Sequence, residues 1–303
     1  MVSYTCKEVI NKVEERDMSE RVIHMYNWES KEIEKKIPKI AEQRFTAIQI
    51  PTVQPFKGSY KKAWWYQYQP LSFDIGNEFG SKEQLISLCS KAHEYGLKII
   101  VDVILTHMAG DDYGNIKPHP RVDKRLVEAD IWKSFDRIYN WDDRYEVITK
   151  SHGMPTIQLA KPKAQEFALD FINRLRECGV DGLRLDSGKS IALPEEGNDF
   201  LTKLPKDMFI YAEVIFESKE LIDKYCQYVN VLTSSCGSNH NNMVTFIDSH
   251  DLQNEFKVTT HYTDDMIKRE YDILCRNFPN TLFYVRPFNN CWESEEVKRA
   301  NLR

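Results

Sequence analysis

Several features that would settle the class of a protein are missing from this chain. Its seven cysteines are scattered and form no CxxC pair. They read as reduced thiols in a reducing compartment, not as a disulfide framework or a zinc site. No apolar run reaches the roughly 18 residues that a membrane-spanning helix needs, so membrane-spanning helices are not expected. The first residues, Met1-Val2-Ser3-Tyr4-Thr5-Cys6-Lys7-Glu8, contain no apolar core of a secretion signal. The expectation is a cytoplasmic protein, or a secreted one whose leader has been trimmed. There is also no basic run, and 41 Lys and Arg against 46 Asp and Glu leave a net charge of −5. Nothing here supplies the phosphate-neutralising stripe that nucleic-acid binding requires.

What the chain does have is apolar and aromatic mass. Of its 303 residues 42% are hydrophobic and 12% aromatic, enough for a large core. The length suits an α/β barrel, which takes about 250 residues as one domain. Aromatic faces in excess of a plain core stack on sugars or bases, which fits a carbohydrate site.

Hydrophobic periodicity gives the order of elements. Apolar runs predict strands at 21–26, 46–50, 98–105, 182–186, 208–214, 229–233, 243–248 and 281–285. Helical spacing appears at about 6–16 and at 30–43, 82–95, 164–178, 193–204, 218–227, 263–277 and 294–302. Ser81 and Gly96 are the cap signals of the helix at 82–95. Periodicity weakens from 106 to 161, a stretch too long for an idle loop. The pattern predicts a parallel (β/α)8 TIM barrel of the α/β class. Residues 1–106 and 163–303 are expected to form the barrel, and 107–162 a reduced excursion domain. Only nine residues, 234–242, separate the sixth and seventh strands. A parallel crossover takes a dozen or more, so the helix after strand six is expected to be missing.

Chemistry gathers at the strand ends. Strand three carries Asp102, with His107 in the next loop; strand four ends on Arg184 and Asp186; strand five carries Glu213; strand seven runs into Ser249-His250-Asp251. Arg184 and Asp186 are two apart, so they face the same way. Alone they read either as a buried ion pair or as an arginine-held carboxylate nucleophile. Carboxylates on several C-terminal strand tips of one barrel favour catalysis over helix capping. Two carboxylates flanking a scissile bond perform glycoside hydrolysis. Glu213 follows the apolar run Phe209-Ile210-Tyr211-Ala212, and burial raises a carboxyl pKa, which suits a proton donor. The competing reading is a magnesium site built from acids on successive strands. Against it, no lysine base lies at a strand tip, and two histidines would be surplus.

These stretches resemble the α-amylase family of glycoside hydrolases, and in style its animal-type members. Four short motifs recur in order: Asp102-Val103-Ile104-Leu105-Thr106-His107, Gly182-Leu183-Arg184-Leu185-Asp186-Ser187-Gly188-Lys189-Ser190, Ala212-Glu213-Val214-Ile215 and Phe246-Ile247-Asp248-Ser249-His250-Asp251. Trp64-Trp65-Tyr66-Gln67-Tyr68-Gln69-Pro70 resembles the stacking segment, and Met154-Pro155-Thr156-Ile157-Gln158-Leu159 the motif near the end of the excursion domain. The resemblance covers about residues 21–251. It implies retaining cleavage of α-1,4-glucans such as starch, glycogen or maltooligosaccharides. Asp186 is then the nucleophile, Glu213 the acid and later base, and Asp251 the transition-state stabiliser. Arg184 orients Asp186, Asp102 supports the site, and His107 and His250 bond sugar hydroxyls. Tyr68 stacks on the sugar, Trp64 and Trp65 line the glycone side, Lys189 lines the leaving-group side, and Gln69 is a further substrate-binding residue. A retaining pair stands about 5–5.5 Å apart. An α-glucosidase or 4-α-glucanotransferase uses the same carboxylates, and a non-catalytic carbohydrate-binding barrel is the reading from another class.

Three departures bear on cofactors. The family's calcium has side-chain ligands that correspond to Thr106, Thr156 and Ser190, none of which offers a carboxylate or amide. The expectation is therefore no metal and no cofactor. Ser249 in place of an asparagine makes a chloride site doubtful. The β-sandwich that follows the family's barrel is not in this sequence. Elsewhere, Trp132 and Trp141 read as packing residues, His119, His152 and His240 as solvated, Asp248 as a core or capping residue, and the cysteines as inert apolar fillers. Lys189 also reads as a plain surface lysine. Protein partners are not legible.

Overall fold

The structure, a computed structural model, describes residues 19–233, 240–286 and 289–303; the helix expected at 6–16 lies outside them. Eight strands form where eight were expected: β1 Arg21–His24, β2 Ala47–Ile50, β3 Lys98–Val103, β4 Gly182–Leu185, β5 Phe209–Glu213, β6 Asn230–Thr233, β7 Met243–Phe246 and β8 Asn280–Tyr284. Each pairs in parallel with its sequence neighbours, and β8 pairs with β1, so the barrel is closed. Closure leaves no edge strand to cover.

The two-residue period of the strands sorts their side chains into two cores. Ile23, Ile48, Ile99, Val101, Leu183, Leu185, Ile210 and Val231 point outward and pack under the helices. Val22, Ala47, Ile100, Tyr211, Leu232, Val244 and Leu282 fill the interior. Asp102, Arg184 and Glu213 fall in the inward register, two positions on from Ile100, Gly182 and Tyr211. Gly182 is needed at its layer, because a Cβ there would lie 2.5 Å from Phe209 O.

The helices Ser30–Glu42, Lys82–Glu94, Pro162–Glu177, Lys219–Tyr225, Asp264–Asn277 and Glu295–Asn301 follow the sequence pattern. Lys82–Glu94 starts in a capping box between Ser81 and Gln84. One expectation fails. Residues 193–204 form no α-helix but two 3-10 turns, Pro194–Glu196 and Phe200–Lys203. Gly197, at φ 89°, takes the left-handed conformation between them and stops the helical run. Of the short link between β6 and β7, residues 234–239 lie outside the description, and His240–Asn242 form one 3-10 turn.

Between β3 and Pro162–Glu177 the chain makes its excursion, with two short helices, Lys124–Val127 and Arg144–Thr149. Single antiparallel bridges, His107 to Thr156 and Trp132 to Ile157, tie its ends together. No helix among the described residues is long and apolar enough to cross a membrane.

Candidate active site

A cleft of about 620 Å³ opens over the C-terminal ends of the strands. Trp64, Trp65, Tyr68, Gln69, His107, Asp186, Lys189, Glu213, His250 and Asp251 all line it. Asp102 and Arg184 lie directly beneath, both almost fully buried. A second cavity of about 620 Å³ lies at the opposite end of the barrel, near Asp181 and Asp207 before β4 and β5. None of the strand-tip residues reaches it.

Arg184 is the hub. Its Nη1 donates to Asp102 Oδ1 at 2.8 Å and Asp186 Oδ1 at 2.7 Å, and its Nη2 to Glu213 Oε1 at 2.5 Å. The rigid fork of a guanidinium suits this bridging. Tyr68 donates its hydroxyl to the second Asp102 oxygen at 3.1 Å. Ser187 is left-handed at φ 49°, and its N–H donates to Glu213 Oε2 at 3.0 Å. The following turn Gly188–Ser190 presses on β5: a Cβ at Gly188 would meet Ala212 Cβ at 2.7 Å and Glu213 N at 2.9 Å. The two ends of the acid pair are thus fixed by one arginine and one tight turn.

Three carboxylates on one buried arginine leave an excess of negative charge. Burial is the main cause that lifts Asp102 to about 7, with Arg184 opposing and Asp186 adding a like charge. Burial likewise raises Glu213, against the pull of Arg184 and with the push of Asp186. Asp251 is raised to about 8 by burial and then by the Glu213 charge.

Three histidines of the site are pushed toward the neutral form. Burial, then the Arg184 charge, pulls His24 down to about 3 and His250 well below its ordinary value, and burial lowers His107. His107 Nε2 lies 2.8 Å from Tyr68 O. His250 stacks on Tyr68 (5.2 Å, 8°) and Tyr26 (4.6 Å, 15°), and its Nε2 is 3.4 Å from Asp251 Oδ1. One face of Tyr68 is therefore held by His250 in this state. Lys189 ion-pairs with Glu217 at 3.1 Å and lies 5.4 Å from the centre of the Trp141 ring; it is a cleft residue, not a free surface lysine.

Sequence reasoning missed part of this wall. Trp141, read as packing, is half exposed in the cleft, as are Phe216 and Phe256 in T-shaped contact at 5.3 Å. His152, read as solvated, is half-buried and lies edge-on against His107 at 4.6 Å. His119 is buried and accepts from Arg121 N; the side chain of His240 lies outside the description. Asp248 is a buried anchor, paired with Arg286 at 2.6 Å. His24 and Tyr284 occupy the ends of β1 and β8 in the inward register. The strand-tip rule that found Asp102 and Glu213 could have found these two. His24 Nε2, Tyr26 Oη, His152 Nε2, His250 Nδ1 and Tyr284 Oη are buried without a hydrogen-bond partner.

A closed parallel barrel with acids on three C-terminal strand tips, bridged by an arginine under an aromatic cleft, defines a (β/α)8 protein with an enzyme-type site. The chain belongs to the α-amylase family of glycoside hydrolases: the family profile described as "Alpha amylase, catalytic domain" matches residues 29–285. It is 26% identical over 325 residues to an α-amylase of Clostridium acetobutylicum, covering 92% of this chain and 42% of that protein. The chain spans less than half the length of the curated relatives it matches. Among solved structures, the α-amylase of Geobacillus thermoleovorans complexed with acarbose aligns with a TM-score of 0.74 at 16% identity, covering 93% of this chain and 77% of that one. A cyclomaltodextrin glucanotransferase aligns with a TM-score of 0.74 at 17% identity, covering 94% and 79%. At these identities the structural likeness is one of fold.

Proposed function

We propose that the protein cleaves α-1,4-glucosidic bonds in starch, glycogen or maltooligosaccharides with retention, in the manner of an α-amylase. The observation that carries this reading is the convergence of Asp186, Glu213 and Asp251 on one cleft, with Arg184 joined to the first two. Arg184, 2.7 Å from Asp186 Oδ1, orients Asp186 as the attacking group at the anomeric carbon. Glu213, raised by burial, holds the proton that the departing glycosidic oxygen takes up. In the second half-reaction Glu213 takes a proton from water, which attacks the glycosyl–Asp186 ester and releases a product of unchanged anomeric configuration. Asp251, whose charge is disfavoured in the empty cleft by burial and by Glu213, supports the positive charge at the sugar ring, since that developing charge in turn favours its ionised form.

The polar atoms left without partners support a hydroxyl-rich ligand. Each such buried group costs about 1–3 kcal/mol, and sugar hydroxyls can both donate to and accept from neutral imidazoles and phenols. Trp64, Trp65 and Trp141 offer apolar faces to the rings. His107 and His250, both lowered by burial, suit hydroxyl contacts.

Incubation with starch and defined maltooligosaccharides, following chain length and the anomer first formed by NMR, tests the reading. Long chains falling to short ones as α-anomers support an α-amylase. Glucose alone indicates an α-glucosidase, and products longer than the substrate a 4-α-glucanotransferase. Sugar binding without any turnover indicates a binding barrel and overturns the proposal.

A further inference from the structure

Two cations of the excursion work on backbone oxygens of the barrel. Lys133 is only 5% exposed. Its N–H donates to Thr156 O at 2.8 Å. Its Nζ donates to Val147 O at 3.0 Å, within the excursion, and to Ser190 O at 2.9 Å, four residues beyond Asp186. The amino group is answered here by carbonyl oxygens and not by a carboxylate. Arg144, also in the excursion, donates to Lys189 O and to Ile191 O (3.2 Å), and pairs with Glu196 at 2.7 Å. The carbonyls of three successive residues, 189 to 191, are therefore all held by excursion side chains.

This is the seam at which the family resemblance places calcium, and the residues present do not fit that ion. The Thr106 hydroxyl lies 3.1 Å from His107 Nδ1, and the Thr156 hydroxyl donates to Met154 O at 2.9 Å. Ser190 O already accepts from Lys133. Calcium wants six to eight oxygens, several from carboxylates. Among the described residues no cluster of three or more His, Cys, Asp or Glu could hold a metal ion.

We propose that Lys133 replaces the metal: its tethered amino group bridges the excursion to the turn Gly188–Ser190 and so positions Lys189 and the cleft wall beside the acid pair. Lysine suits the place, since it carries three donors on a flexible stem and accepts nothing. Burial, then the Arg144 charge, lowers Lys133 to about 7. The neutral amine still has two N–H groups for the same two carbonyls, so the bridge outlasts the loss of its charge. Lys133 is a positioning residue, and a bridge made of the chain itself cannot be removed by a chelator.

The test uses the intact chain. Elemental analysis is expected to find no stoichiometric calcium, and neither EGTA nor added calcium should shift Tm or turnover of maltoheptaose. Lys133→Met keeps the stem and deletes the donors. It should lower Tm, open the excursion to limited proteolysis, and reduce kcat about tenfold or more with a smaller change in KM. Lys133→Arg, which keeps donors and charge, should recover part of each loss. Bound calcium, or a Tm that EGTA lowers and calcium restores, overturns the proposal. So does a Lys133→Met protein with unchanged proteolysis, Tm and kcat, or an arginine variant no better than the methionine one. If Lys133→Met does not fold, metal content and chelator response of the native protein decide. The metal, Tm and proteolysis readouts stand even if maltooligosaccharides prove not to be substrates.

Discussion

Asp251 is where function and stability pull apart most clearly. Burial, then the Glu213 charge, raises its carboxyl to about 8 in the folded protein, whereas in the unfolded chain it ionises near 4. Between those values the native state binds the extra proton, so its stability falls as pH rises through that window. Asp251→Asn removes this dependence. The variant should be inactive yet more stable than the parent at pH 8, by about 1–3 kcal/mol, with the gap closing toward pH 4. Thermal unfolding of both proteins across pH checks it; a gap that does not depend on pH refutes it. Asp186→Asn should cost about 10^4-fold or more in kcat with the fold intact. Glu213→Gln should slow bond cleavage in maltooligosaccharides but spare the first release of fluoride from an α-maltosyl fluoride, whose leaving group needs no proton, with later turnovers slow because the base of the second step is gone. An equal loss in that first release would remove Glu213 from the acid role.

At the scale of elements, what was legible follows from burial. The eight strands showed because each is a short segment with apolar or aromatic residues buried on both faces, a pattern loops do not imitate. The acids showed because they interrupt those runs at fixed places. The turns at 193–204 did not show: the apolar spacing there continues across Gly197, and only its left-handed φ of 89° reveals the stop. Trp141, His152, Phe216 and Phe256 did not show because they come from different loops and meet across the cleft, a relation that no local spacing encodes. The turn Gly188–Ser190 is the element most exposed to a single change. Gly188→Ala would push a methyl against Ala212 and the Glu213 N–H. A shift of this kind in the proposed proton donor should cost about 10^2-fold in kcat, with at most a few degrees lost in Tm; an unchanged kcat would show that the turn yields instead.

For the whole molecule, closure depends on joining residues some 260 positions apart. Arg21, at the start of β1, donates from Nη1 to Pro279 O at 2.6 Å and from Nη2 to Cys275 O at 3.1 Å, just before β8. Arg21→Met fills similar space but leaves these buried carbonyls without their charged donor. A loss of about 2–4 kcal/mol in urea unfolding is expected, with kcat little changed because the site lies at the other end of the strands. A variant that unfolds at the parental urea midpoint would show that strand pairing alone closes the barrel.

The three acids leaning on Arg184 have a consequence for how this protein responds to pH. With one positive charge among them, a proton gained by any acid redistributes the hold on the other two. Titration then belongs to the group as a body, and the limbs of a pH–rate profile are not the private constants of Asp186 or Glu213. Asp102 sits under the cleft floor, yet Asp102→Asn should displace both limbs at once, since it returns part of the guanidinium to its neighbours.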